Sequence, residues 1–192
     1  MFGEKVIDRF DLPFSVQELT LLKAALAQQI NCPRTSSAGR LFDAVASLLD
    51  IAQINHYEGQ AAMALEALAT GFVGADFQAF PSVFKIIDGA PLIIDWQPAI
   101  ENVLMNLGKK PPALIAAQFH HTLAEMLLAI ANRAERQNIV LSGGCMQNAY
   151  LVAEAIQGLE NAGFTVYCHG QIPPNDGGLA VGQLYAGKFL EM

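Results

Sequence analysis

The sequence predicts an α/β fold whose N-terminal third is helix-rich, and three observations carry that prediction. Apolar residues recur at helical spacing between Val16 and Leu68, with Pro, Gly and Ser at the breaks. The C-terminal half instead alternates helical stretches with short β-rich runs. Two of those runs, Ile139-Val140-Leu141 and Phe164-Thr165-Val166-Tyr167-Cys168, lead into Gly-Gly pairs, Gly143-Gly144 and Gly177-Gly178, each followed by another helical pattern.

The helices follow in order. Pro13 and Ser15 mark a helix entry, with Ser15 as N-cap and Glu18 at the capping-box position. Val16, Leu19, Leu22, Leu26 and Ile30 form one stripe, expected to be buried, and Pro33 ends the helix because the residue before proline is pushed out of the helical region. After the polar turn Thr35 to Gly39, residues 41–49 read as a short apolar helix. Within it Asp43 is either a solvated carboxylate or one held at a cleft to accept hydrogen bonds from ligand hydroxyls. A connector containing Tyr57-Glu58-Gly59 precedes a helix from Gln60 to Thr70, with Gly71 placed at C′. Gly59 serves as a plain turn or supplies a positive φ and a close backbone approach. Phe72 to Phe80 reads as loop.

Residues 82–94 read as a hairpin around Asp88-Gly89, and Asp95 caps a helix with Pro98 in its first turn and Ile100, Val103, Leu104 and Leu107 inward. The longest helix is expected from Ala113 to Gln137, with Ile115, Phe119, Leu123, Met126, Leu127 and Ile130 inward. His120 and His121 lie side by side on it; adjacent helical residues diverge by about 100°, so a surface or capped core role is favoured over a shared metal. A helix from Gln147 to Asn161 bears Leu151, Ala155 and Leu159, and Gly163 follows it. In the last segment Asn175 or Asp176 caps the final helix, or Asp176 presents its carboxylate to a metal.

Composition limits the function. With 192 residues, 53% hydrophobic, and a mean hydropathy of +0.31, the chain has material for one large domain or two lobes. A net charge of −7, and eleven Lys and Arg with no cluster beyond Lys109-Lys110, oppose nonspecific nucleic-acid binding. Cys32, Cys145 and Cys168, an odd set without a C-x-x-C pair, fit reduced, mostly buried thiols in a cytoplasmic protein. Charges are interspersed through residues 1–13, unlike a signal peptide, and no run reaches about 18 uninterrupted apolar residues, so neither a leader nor a membrane span is expected.

The Ile139 to Asn148 stretch is the organising one. Strand, Gly-Gly turn and helix together make either an ordinary connection or an anion or nucleotide site, in which Gly143 and Gly144 allow close approach and the free N–H groups of the next helix face the ligand.

Read together, the segments Thr35-Ser36-Ser37-Ala38-Gly39-Arg40-Leu41-Phe42-Asp43-Ala44-Val45-Ala46, Tyr57-Glu58-Gly59-Gln60-Ala61-Ala62, Phe119-His120-x-Thr122-Leu123-Ala124, Ser142-Gly143-Gly144-x-x-Gln147-Asn148 and Pro173-Pro174-Asn175-Asp176-Gly177-Gly178-Leu179-Ala180 resemble the C-terminal end of the HypF carbamoyltransferases of [NiFe]-hydrogenase maturation. The resemblance runs from about residue 15 to the end of the chain. It implies one lobe of an actin/sugar-kinase/Hsp70-type ATPase fold, related to TsaD-type threonylcarbamoyl-adenosine synthases, spanning residues 1–192 with residues 1–14 a poorly defined lead-in. It also implies ATP or carbamoyl-adenylate as ligand, with the carbamoyl group delivered to the C-terminal cysteine of a HypE-type partner. By position, Asp43 and Gly59 match the adenosine site, Gly143, Gly144 and Asn148 the nucleotide turn, and Asp176 a ligand to a divalent metal (Mg, Fe or Zn). The metal's other ligands, two histidines in an H-x-x-x-H pattern, belong to the family's other lobe; His56, His120, His121 and His169 form no such pair. Ala149-Tyr150 stands where the family often has an arginine after the asparagine. The remaining HypF domains are the implied partners, and catalysis is not expected of this lobe alone. Two other readings stay open: a non-catalytic, self-associating or partner-binding module, and a complete small ATPase of the sugar-kinase type, which the absence of a phosphate-binding hairpin in the first fifty residues disfavours.

Overall fold

The computed structural model describes residues 13–72 and 82–190. Seven helices and four short strands are present among them: α1 (Val16–Ala27), α2 (Ala38–Leu48), α3 (Gln60–Thr70), β1 (Lys85–Ile87), β2 (Ile93–Asp95), α4 (Gln97–Asn106), α5 (Pro112–Ala131), β3 (Asn138–Leu141), α6 (Ala149–Asn161), β4 (Thr165–Cys168) and α7 (Leu179–Leu190). The expected loop beyond Phe72, and all of the lead-in before Pro13, lie outside the described residues.

Helix α5 is the spine. Leu114 through His120 are all buried, and α3 and α6 pack along it while α2 packs on α3. It is long and apolar enough to cross a membrane by length and composition, yet most of it is buried inside the fold, as in the core helix of a globular protein. It ends at Ala131, earlier than expected, so Arg133, Glu135 and Arg136 follow the helix; Arg133 instead bonds Asp88 of the hairpin at 2.8 Å. The core it anchors joins Phe42, Val45 and Ala46 of α2, Leu65 and Ala69 of α3, Ile100 and Val103 of α4, and Leu151, Ala155 and Leu159 of α6. Phe42 meets Phe119 edge to face, with centroids 5.2 Å apart.

Side-chain caps explain some of the boundaries. Ser15 and Glu18 form both bonds of the capping box on α1. Asp95 Oδ1 accepts the Gln97 N–H at the start of α4. Gly71 sits at the C-cap of α3 with φ −70°, so the left-handed C′ role expected of it is not used. Gly59 does carry a positive φ of 79°, at the N-cap of the same helix.

Strands β1 and β2 pair antiparallel, with Ile86 opposite Ile94. The predicted hairpin is therefore present, but five residues, Asp88 to Leu92, connect it in place of a two-residue turn. Strands β3 and β4 pair parallel, from Asn138 opposite Thr165 to Leu141 opposite Cys168, with α6 as the crossover. Ile139 and Val166 pack on the helices, while Val140 and Tyr167 are exposed on the other face.

The stripe on α1 departs from expectation. Val16, Leu22, Leu26 and Ile30 are exposed, Leu19 is only half-buried, and the helix has no buried residue, because no described element packs across it. Leu179, Leu184 and Tyr185 of α7 are exposed too. The cysteines also differ: all three are free, but Cys32 and Cys168 are exposed and only Cys145 is partly buried. Cys32 follows the uncovered α1, and Cys168 is the last residue of β4.

Truncating a side chain in the spine's packing leaves a cavity, whereas α7 offers nothing to lose. Leu65→Ala is expected to lower stability by about 2–5 kcal/mol and Leu184→Ala to change it by no more than about 0.5 kcal/mol, read as urea-denaturation midpoints.

Candidate functional site

In a parallel βαβ unit the crevice outside the carboxyl ends of the strands is the usual ligand site. Here two loops meet there. The turn after β3 runs Ser142-Gly143, then a single 3₁₀ turn over Gly144–Gln147. The loop after β4 runs from His169 to a second short 3₁₀ turn, Asp176–Gly178, before α7. Gly143 has φ 103° and ψ 163°, a backbone region that only glycine enters at low cost. That conformation aims the Gly143 N–H at the Pro174 carbonyl, 2.9 Å away. Two further bonds tie the loops: Asn175 Nδ2 donates to Gln147 Oε1 at 3.0 Å, and His169 Nε2 is hydrogen-bonded to Ser142 Oγ at 2.9 Å. Gly178 is needed for the close pass, since a Cβ there would lie 2.7 Å from the Pro173 carbonyl oxygen.

Gly144 is under no such constraint. A Cβ on it would meet nothing within 4 Å, so its surroundings are open. Among the described residues, the N–H groups of Gly144 and Cys145 have no hydrogen-bond partner, which leaves two adjacent donors at the crevice. Burial pushes the Cys145 thiol up, so it stays protonated.

The start of α6 corrects one expectation. Its first N–H groups are not free for a ligand: Glu66 Oε1, reaching over from α3, accepts from Ala149 at 2.7 Å and Tyr150 at 3.2 Å, and Asn148 Oδ1 accepts from Leu151 at 2.8 Å. A helix start packed against the core must find internal acceptors, and these serve. Asn148 is buried and also donates through Nδ2 to His120 Nε2, 2.9 Å away. The His120 ring is wholly buried, and with Nε2 accepting from Asn148 its Nδ1–H donates to the Ala116 carbonyl at 2.7 Å. This places Asn148 as the cap of α6 and the anchor of the turn before it. Phe42, Phe119 and Tyr150 surround the imidazole edge-on. His121, one residue on, faces elsewhere and bonds Glu154 of α6 at 2.9 Å.

The remaining expected residues lie as follows. Asp43 is partly buried on α2, ion-paired to Arg40 at 2.8 Å and within 3.5 Å of Asn55 Nδ2, which belongs to the connector leading to Gly59. A Cβ at Gly59 would meet nothing within 4 Å, so glycine is required there by its backbone angle and not by crowding. Helix α2 touches the Gly144–Gln147 turn, so Asp43 and Gly59 belong to the elements on one side of the glycine turn and Asp176 to the loop stitched to the other. Asp176 is exposed, and the described residues contain no group of three His, Cys, Asp or Glu that could hold a metal ion. Around Asp176 the donors among the described residues amount to one carboxylate, which does not by itself make a metal centre.

Sequence reasoning did not find Glu66 or His169 as parts of this region, and it favoured a surface or capped core role for His120, of which the core role holds, without finding Asn148 as its partner. Glu66 left a signal, an acid amid the apolar residues of α3; His120 and His169 acquire partners only through long-range contacts.

A family model described as "Carbamoyltransferase, Kae1-like Domain, second subdomain" matches residues 4–183. The chain belongs to the HypF carbamoyltransferase family. It is 37% identical over 161 residues to the carbamoyltransferase HypF of Synechocystis, covering 84% of this chain and 20% of that protein. With HypF of Rhodobacter capsulatus it shares 39% identity over 192 residues, covering 96% and 24%. Among solved structures, a full-length HypF in the phosphate- and nucleotide-bound form superposes with a TM-score of 0.82 at 32% identity, covering 94% of this chain and 29% of that one. HypF of T. kodakarensis gives 0.76 at 28% identity, covering 98% and 25%. The chain thus spans about a fifth to a quarter of the length of these curated HypF relatives.

Burial lowers the affinity of His120 for a proton, outweighing the Ala116 carbonyl and the carboxylates of Glu66 and Glu154, which act in the opposite direction. An unfolded chain protonates its histidine near pH 6.5, while the native state resists down to a lower pH. Between those two values the unfolded state binds more protons, so stability is expected to be complete above about pH 6.5 and to decline as the pH falls below it. In His120→Gln the part of that decline due to this residue should vanish, as checked by urea midpoints across pH 4.5–8 in both proteins.

Proposed function

We propose that this HypF-family chain supplies one half of a nucleotide-binding cleft of the actin/sugar-kinase/Hsp70 type, as a single lobe over residues 1–192. The observation that carries the reading is the glycine turn at the ends of β3 and β4. It leaves the Gly144 and Cys145 N–H groups undirected to any internal acceptor, and it is stitched to the loop bearing Asp176. Family membership and a structural relative in a phosphate- and nucleotide-bound form support it.

In this reading Gly143 and Gly144 form the wall along the phosphates of ATP or carbamoyl-adenylate, while Asp43 accepts from the ribose hydroxyls and Gly59 lets the backbone near the adenosine. Arg40 and Asn55 hold the Asp43 carboxylate now, so ribose binding exchanges or shares those contacts. Asn148 acts from behind, fixing the turn through its bonds to His120 and Leu151. Asp176 is the one carboxylate this chain contributes to a divalent metal, its co-ligands lying in the other lobe. The reaction is carbamoyl transfer to the C-terminal cysteine of a HypE-type partner: the thiol gives up its proton to solvent, the thiolate sulfur bonds the carbamoyl carbon, the carbon–oxygen bond to the adenylate phosphate breaks, and AMP departs with the electron pair. Fixed N–H donors beside that phosphate stabilise the charge it gains. The setting is cytoplasmic, the remaining HypF domains complete the site, and the isolated chain does not turn over.

A second reading is a self-associating or partner-binding module, favoured by the exposed apolar side chains of α1 and α7. Light scattering that shows an oligomer with no nucleotide affinity would select it.

Two substitutions separate ligand contact from folding. Gly144→Ala places a methyl group in open space, so its thermal midpoint should match the wild type while affinity for Mg-ATP, measured by calorimetry, falls roughly tenfold. Asp43→Ala should lose a comparable factor, as expected for hydrogen bonds to a charged group. Absence of any Mg-ATP binding by the wild-type chain at millimolar concentration would rule out an independent half-site.

A further inference from the structure

We infer that His169 is a positioning residue, which through Ser142 sets the glycine turn against the Asp176 loop. Ser142 and His169 follow directly after Leu141 and Cys168, the last paired residues of β3 and β4. Their side chains close the gap where the strands part, with Nε2 and Oγ 2.9 Å apart. The other two cross-links between these loops involve Gly143 and Pro174 on one level and Gln147 and Asn175 on the next. Along the β3 side the three bonds are successive rungs between the two loops, and Ser142–His169 is the first after the sheet ends.

That rung differs from the buried contacts nearby. Both of its residues are exposed, neither caps a helix nor fills the core, and an exposed hydrogen bond competes with water, so it contributes little to global stability. Its consequence is local. The Gly143 N–H to Pro174 bond lies on the next rung, and the open N–H groups of Gly144 and Cys145 follow it. Fixing Ser142 therefore fixes where those donors stand relative to Asp176. The effect on ligand rests on the nucleotide reading above; the effect on the turn does not.

The test combines amide hydrogen exchange at Gly143 with Mg-ATP calorimetry on Ser142→Ala, His169→Ala, the double variant and His169→Gln. Each alanine variant should raise Gly143 exchange roughly threefold to tenfold, and the double variant no further, because both remove the same bond. His169→Gln, whose terminal amide reaches about as far as Nε2, should restore exchange to within about twofold of the wild type. Mg-ATP affinity should fall by a similar factor in the alanine variants and return with glutamine, at unchanged thermal midpoints. Unaltered Gly143 exchange, effects of the two alanines that multiply, or Mg-ATP affinity untouched by His169→Ala would each overturn the inference. The exchange pattern as expected in a chain that binds no Mg-ATP would uphold the clamp and overturn the nucleotide reading instead.

Discussion

The arrangement depends on a neutral imidazole in the middle of a helix. His120 donates to the Ala116 carbonyl one turn back and accepts from Asn148 across the interface, and Asn148 in turn accepts from Leu151. Each polar group in this line is buried, so each would cost free energy if left without a partner, and each has one. The line joins the spine to the start of α6 at one register. A shift of α6 along α5 would break the His120–Asn148 bond and the Glu66 cap together, which no sliding of apolar side chains alone would penalise so sharply.

This register is what hands the glycine turn its position. β3 reaches the turn from one side and the cap of α6 receives it on the other, so Gly143 to Gln147 have little freedom left. The surroundings are also electrically restrained. The dipole of α6 is already balanced by Glu66, and an approaching phosphate would be met by backbone donors and a hydroxyl more than by formal cations. In the proposed cleft such a turn would select by shape and hydrogen-bond geometry first, in keeping with a chain of net charge −7.

Much of the fold was legible because local rules acted alone. Ser15 and Glu18 capped as their spacing required, Leu151, Ala155 and Leu159 faced inward, and Gly163 took the positive φ that follows α6. The errors came where tertiary context decides. The stripe of α1 reads as buried by periodicity, but no described element covers it. The α6 start reads as an open anion site, but Glu66, far away in sequence, occupies it. Asn148 was legible as a polar residue at the turn, whereas its engagement with His120 depends on how α5 and α6 dock, and one-dimensional spacing contains no record of that. Asp43, Gly59 and Asp176 were picked out by type and position, and the packing shows which neighbours each one has.

The spine comes late in the chain. Helices α2 and α3 present Phe42, Val45 and Leu65 to a partner, α5, that a ribosome synthesises only after the hairpin and α4, and α6 follows later still. During vectorial synthesis the first half of this unit therefore waits with its apolar faces uncovered, and the stretch of time before α5 emerges is when a nascent chain needs protection from aggregation. A pause in translation once α5 has cleared the ribosome would give α2 and α3 time to close on the spine before α6 and its turn emerge.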